Sequence, residues 1–256
     1  NKNTGTFVAW NWKANGSGSS NTDGTITSTV SANTDAGFSI VSYTGNGSDG
    51  ATIGHGLSSA PEIVIFKSRS AAASWATFGY PNNPAFPNDG SVLLLDDTSA
   101  MGNSTSKEVS IGSSTITLVD AGGDIGTSGD DYIAYCWHSV DGYSKVGSYT
   151  GNSDADGTFV YTGFRPAWLM VKNTTNSGEG WLMVNNKTDP INPTGTYLSA
   201  QSTYQEQGTS GTTFSRSFDF TANGFKLRGN STEVNEDTPI IYIAFAETPF
   251  KYSNAR

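Results

Sequence analysis

Apolar residues in this chain fall in short runs, and residues that favour turns separate them. In the first half the runs are Phe38–Tyr43, Glu62–Lys67, Trp75–Phe78, Ser91–Leu95, Thr115–Val119 and Tyr132–Trp137. Val, Ile, Thr and aromatic residues fill them, and Gly, Asn, Asp, Ser and Pro bound them, which predicts β-strands closed by turns. Ile63 to Phe66 is apolar at four consecutive positions. That predicts a central strand covered on both faces, or one at a contact between modules. No segment carries a helical period; residues 104–111 are too few and too β-branched.

The pattern repeats. Ser42-Tyr-Thr-Gly-Asn46 recurs as Ser148-Tyr-Thr-Gly-Asn152, a displacement of 106 positions. Pro61 to Lys67 aligns with Pro166 to Lys172, and Ser74 to Phe78 with Gly180 to Val184. Ile116-Thr-Leu118 corresponds to Phe225-Lys-Leu227. Each half closes on an apolar strand, Tyr132–Trp137 or Ile241–Ala246. Shared landmarks in one order predict an all-β chain of two tandem modules of β-sandwich or jelly-roll type, related by internal duplication and packed end to end. Residues 1–36 read as a closing-type strand plus a Gly/Ser/Thr linker, with a short strand near Thr25–Ser31. Residues 37–142 form the first module and 143–256 the second. Prolines follow the Trp-bearing strand in each half (Pro81, Pro84 and Pro87; Pro190 and Pro193), which places a variable loop at the same point of each module.

The segment Phe7-Val-Ala-Trp-Asn-Trp-Lys13 reads like the closing strands, above all Ile133–His138. Three readings fit. It is the remnant of an upstream module in a longer array, it pairs with a sheet edge on this chain or a neighbour, or any Trp-bearing strand looks similar. A chain beginning without Met suggests a processed product or a fragment.

Composition narrows the function. Only 14% of residues are charged and the net charge is −9, with no Lys/Arg cluster to neutralise phosphates, so nucleic-acid binding is disfavoured. No apolar stretch is long enough for membrane insertion as a helix. Aromatics make up 12% of the chain and recur inside the apolar runs, which argues against disorder. The lone Cys136 reads as a small core residue. His138 shares its face if the strand continues, which leaves a Cys–His pair to be tested.

Motifs that resemble chemistry have plainer alternatives. Gly45-Asn-Gly-Ser-Asp-Gly50 has dinucleotide-loop spacing, but no helical pattern follows it, so it reads as a glycine-rich loop. Asn152-Ser-Asp-Ala-Asp-Gly157 matches half of a calcium loop, yet Gly163 stands where the bidentate Glu belongs. Asp154 and Asp156 remain the candidate calcium ligands, against a simple Asx turn. His55, between two glycines, reads as a turn residue. No catalytic residue and no cofactor is predicted, although a glycosidase carboxylate pair stays open. Of the tryptophans, Trp75 and Trp181 correspond across the repeat and Trp10, Trp12 and Trp137 lie in closing strands, so burial is expected. Tyr80 and Phe86, in the proline loop, are the candidates for exposed binding contacts.

Several strings carry a resemblance: Val8 to Ala14 with its Gly/Ser/Asn sequel, Gly37-Phe-Ser-Ile-Val41, Gly54-His-Gly-Leu57, Gly142–Lys145, Thr162–Pro166, Asn223–Leu227 and Pro249–Arg256. Together they resemble an uncharacterised duplicated β domain of structural, tail-fibre-like proteins of marine and cyanobacterial tailed phages. The resemblance implies a virion or extracellular protein, a tail-fibre or decoration-type domain acting in host-surface attachment. It implies partners of three kinds: self, as a homo-oligomer such as a trimer, other virion proteins, and a host glycan or protein. The alternatives are a purely structural self-assembling subunit and, less favoured, a polysaccharide-degrading enzyme.

Overall fold

The computed structural model describes residues 8–80, 83, 85–103, 109–119, 123–208 and 215–248. Nearly all regular structure is β. The first unit contains β1 (Ser19–Asn21), β2 (Ser28–Asn33), β3 (Phe38–Thr44), β4 (Ala51–Gly54), β5 (Ile63–Ser68), β6 (Ala76–Gly79), β7 (Ser91–Leu94), β8 (Gly102–Asn103), β9 (Val109–Ile111), β10 (Thr115–Leu118), a one-turn helix α1 (Gly123–Gly126) and β11 (Asp131–Trp137). The second contains β12 (Ser144–Thr150), β13 (Phe159–Tyr161), β14 (Pro166–Asn173), β15 (Leu182–Asn185), β16 (Tyr197–Ser199), β17 (Phe218–Thr221), β18 (Gly224–Leu227), α2 (Thr232–Asn235) and β19 (Pro239–Ala246).

Each unit is a large sheet over a small one. The first pairs β1-β2-β3-β11-β5-β6-β7-β8 with β4-β10-β9; the second pairs β12-β19-β14-β15-β16 with β13-β18-β17. From β3 to β11 and from β12 to β19 the two strand orders coincide, short helix included, apart from the two-residue β8, which has no counterpart. Tyr43 and Tyr149 occupy matching places, on β3 and β12, the first strands of the matching sets. Each donates its hydroxyl to a carbonyl in the one-turn helix, Ile125 O at 2.5 Å and Val234 O at 2.7 Å. Side-chain volume is exchanged between facing strands. Val41 lies opposite Ala134 in the first unit, whereas Gly147 lies opposite Tyr242 in the second. A Cβ on Gly147 would come within 2.8 Å of the Tyr242 hydroxyl, so the larger ring requires the missing side chain.

Strand alternation divides each large sheet into two apolar faces. Val64, Phe66, Tyr132, Ala134 and Cys136 point into the first sandwich; Leu169, Val171, Ile240, Tyr242 and Ala244 point into the second. The opposite faces meet each other in a third core built on Ile63, Leu93, Trp168, Met170, Trp181, Ile241 and Ile243. The units therefore pack sheet against sheet, not end to end as the sequence suggested. Ile63 faces the other unit while Val64 and Phe66 face their own core, which is why consecutive apolar residues are needed on β5. Polar bonds tie the same interface. The Trp181 indole donates to Leu94 O at 2.8 Å, Met101 N to Thr174 O at 2.8 Å and Gly178 N to Thr98 O at 2.9 Å.

The supposed linker is structural. β2 pairs with β3 over five residues and β1 continues the sheet. Between them Ile26 makes a parallel bridge to Ile53, with Ile26 N donating to Thr52 O at 2.9 Å. Ile26 and Val30 are buried in the first core, so residues 19–33 belong to that sandwich. Residues 8–13, by contrast, form no strand, and they dock on this chain through side chains.

Candidate functional site

The two sheets do not close completely along their interface. They leave a cleft of about 390 Å³ lined by Trp10, Trp12, Phe38, Ile40, Ile65, Trp75, Tyr135, Trp137, Trp168, Met170, Met183, Ile243 and Phe245, among others. Among the described residues no carboxylate, imidazole or amine lines it; Asn11 and the aromatic polar edges are its main side-chain polar groups. The outward face of the first sheet supplies a row of near-parallel rings. Trp75 and Tyr135 lie 6.3 Å apart at 18°, Tyr135 and Trp137 6.2 Å apart at 23°, and Phe38 and Trp137 5.0 Å apart at 28°. This ladder follows from strand periodicity, since Tyr135 and Trp137 are two residues apart on β11 and share a face. At the Trp75 end the Lys67 ammonium sits 5.9 Å from the ring centroid.

The N-terminal segment covers part of the cleft. The Trp12 ring meets Trp137 at 6.2 Å, Trp168 at 5.5 Å and Phe245 at 5.5 Å, so one indole touches both units. Trp10 meets Trp168 at 6.1 Å. The backbone behind them is held by Asn33 Nδ2 to Lys13 O at 3.0 Å and by Asn15 N to Ser31 Oγ at 2.9 Å. Around this cleft the indole N–H groups of Trp137 and Trp168 are buried without an acceptor. Each such donor costs about 1–3 kcal/mol relative to a satisfied one.

The residues singled out in the sequence are scattered. Phe86 is fully buried, not exposed: its ring lies on Gly79, where a Cβ would come within 2.1 Å of it, and it joins the core between the units. Tyr80 is half-buried against the first core. Ala85 and Phe86 of the first unit's proline loop are thus folded into the interface, while in the second Ile191 is 78% exposed. Pro81 and Pro84 lie outside the described residues, as does Pro249–Arg256.

Asn152 and Asp154 form consecutive Asx turns, the second ending at Asp156. Asp154 N donates to Asn152 Oδ1 and Asp156 N to Asp154 Oδ1. The Asp156 carboxylate faces Lys226 Nζ at 2.9 Å, which holds it below the usual carboxylate range with help from Arg228. Among the described residues no group of three His, Cys, Asp or Glu is placed to hold a metal.

Cys136 is buried in the first core, and burial pushes its thiol up to about 12, far from a nucleophilic thiolate. His138 lies beyond the strand end, with Nδ1 2.9 Å from Ser139 O, and makes no pair with it. His55 is buried instead of forming an open turn. Its Nδ1 accepts from Leu57 N at 3.1 Å and desolvation lowers its pKa. Gly45–Gly50 joins β3 to β4, with Gly47 and Gly50 in the left-handed region and no helix after them.

Sequence reasoning missed a buried charged set in the second unit. Lys172 is fully buried on β14, donates to Asn173 O at 2.6 Å, and is held down to about 8 by desolvation. Glu233 pairs with Arg216 and accepts from Gly180 N at 3.2 Å; burial raises its pKa. The repeat aligned Lys67 with Lys172, but only the second is enclosed. No pattern in the chain marks that difference.

A family model described as a domain of unknown function (DUF7483) matches residues 1–249, and the chain belongs to that family. No curated protein and no solved structure matches it.

Proposed function

We propose that this family member is a non-catalytic structural and binding module of a virion-type or extracellular assembly, a tail-fibre or decoration domain attaching to a host surface. The aromatic cleft between its sheets is the contact site. The two units are copies of one ancestral sandwich, and their packing creates a cleft that neither would have alone.

One observation carries this reading: a row of near-parallel rings, open at Trp75, lines a cleft without acid–base groups. Such a surface binds by stacking and apolar burial, not by proton transfer. A second reading, a purely structural subunit, is favoured by Trp10 and Trp12, which already fill part of the cleft from within the chain.

Binding of the purified chain to bacterial envelope preparations and a glycan array separates the two. The attachment reading expects saturable binding that Trp75→Ala weakens about tenfold, the scale of one lost aromatic contact of about 1.4 kcal/mol. Binding that ignores Trp75→Ala, or no binding on any surface, removes the cleft as the contact site. Release of reducing ends from envelope polysaccharide would overturn the non-catalytic reading.

A further inference from the structure

Apart from the two-residue β8, which has no counterpart, the strands from β3 and from β12 onward match, but the side of each unit before them differs. In the first unit, β2 covers the outer edge of β3, and Thr25 and Ile26 cover the outer edge of β4. Thr25 and Thr52 exchange hydrogen bonds of 2.8 and 2.9 Å, and Ile26 N donates to Thr52 O. In the second unit the corresponding strands β12 and β13 each end their sheet, with one strand neighbour among the described residues.

The register identifies what is missing. Val160 faces Phe225 as Ile53 faces Ile116, so Phe159 stands where Thr52 stands and Tyr161 where Gly54 stands. Ser148 corresponds to Ser42, which pairs with Thr29. The upper part of β12 is already capped: Val140 bridges Ser144, and Val146 N donates to Ser139 Oγ at 3.0 Å. Below it, Thr158 Oγ1 donates to Thr150 O at 3.0 Å. Between these caps the edge of Ser148 is open, and beside it Phe159 and Tyr161 are 45% and 66% exposed.

A pocket of about 280 Å³ adjoins this edge on the Tyr161 side, lined by Ser139, Asp141, Ser144, Lys145, Tyr161 and Gly163 among others. Gly163 corresponds to Gly56, and both have positive φ. A Cβ on Gly56 would meet Val30 at 2.7 Å and Ala32 at 3.4 Å, whereas one on Gly163 would meet only the Tyr161 ring, at 3.7 Å. The pocket is therefore the seat that Val30 fills in the first unit. Residues 138–143, which join β11 to β12 as a tight turn, do not fill it as residues 24–33 fill the seat in the first unit.

We propose that the β12–β13 side of the second unit accepts an extended strand from another polypeptide, in the way the first unit holds residues 24–33. The occupant is a Ser/Thr-rich strand with β-branched apolar residues four positions apart, the spacing of Ile26 and Val30. Its main chain pairs at Ser148 and Phe159, and its second apolar residue enters the pocket beside Gly163. The proposal is independent of the aromatic cleft, which lies on the opposite face of the large sheet.

The test titrates a peptide with the sequence of residues 21–33 into the full chain labelled for amide NMR. Expected are saturable shifts at Gly147–Thr150 and Phe159–Gly163, with about tenfold weaker binding by the peptide carrying Val30→Gly, which loses the branched apolar side chain and has more backbone freedom to lose on pairing. No shift at those residues at millimolar peptide, or equal shifts with the Val30→Gly peptide, overturns the proposal. The same shifts appearing with protein concentration alone would make a second copy the occupant and overturn the assignment to a foreign strand.

Discussion

Removing the Trp12 and Trp168 rings singly and together measures whether the N-terminal segment couples the two units. Trp168 is 8% exposed and its truncation to Ala falls in the large-to-small range, about 3–5 kcal/mol. Trp12 is only half-buried, so Trp12→Ala scales to about 2 kcal/mol. The rings stand edge to face at 5.5 Å and 79°, a geometry worth about 1 kcal/mol beyond area burial. The double variant should then lose about 1 kcal/mol less than the two single losses added. Urea unfolding followed by far-UV circular dichroism gives the three values without depending on tryptophan emission. A coupling below about 0.3 kcal/mol, the scatter of independent sites, would refute docking of residues 8–14 between the sheets.

Further outcomes follow from the same structure. Tyr43→Phe and Tyr149→Phe should each cost about 1–2 kcal/mol and agree within about 0.5 kcal/mol, since each removes one buried bond to a helix carbonyl; urea midpoints decide. Lys172→Met should stabilise the chain at pH 7 by about 1–3 kcal/mol. Because the folded-state pKa is depressed to about 8, the destabilisation is full below pH 8 and fades as pH rises towards the unfolded value, so the gain should shrink by pH 10. A maleimide or disulfide reagent at pH 8 should leave Cys136 unlabelled until urea unfolds the chain, because burial holds the thiol at about 12. Calcium or a chelator should shift the melting temperature by less than about 1 °C, since Lys226 already occupies the Asp156 carboxylate.

Strand positions were legible because alternation and turn residues are local signals. The six strands expected in the first half all form, within a residue or two of their limits. β4 was missed because Ala51–Gly54 carries glycine and only one large apolar residue, and it is held by pairing with β10. The first half of the Gly/Ser/Thr tract looked like linker because Gly, Ser and Asn dominate, whereas the short strand expected near Thr25–Ser31 forms as β2, and two apolar residues, Ile26 and Val30, suffice to dock the segment once an edge is offered. The sheet-to-sheet packing was half visible. Consecutive apolar residues on β5 announced a second contact, but nothing local says which surface supplies it. Phe86 misled for the same reason: a proline-rich loop suggests exposure, and only the bare Gly79 beneath it creates the seat. The aromatic cleft was written in the chain as Trp and Tyr at strand spacing, while its assembly from both units depends on long-range packing.

Nuclear Overhauser contacts of the Trp12 indole protons test the sheet-to-sheet arrangement most directly. Cross-peaks from Trp12 to Trp137 in one unit and to Phe245 in the other are the predicted result. Cross-peaks to one unit alone, or to neither, would contradict it, and the shared cleft would no longer exist as a site.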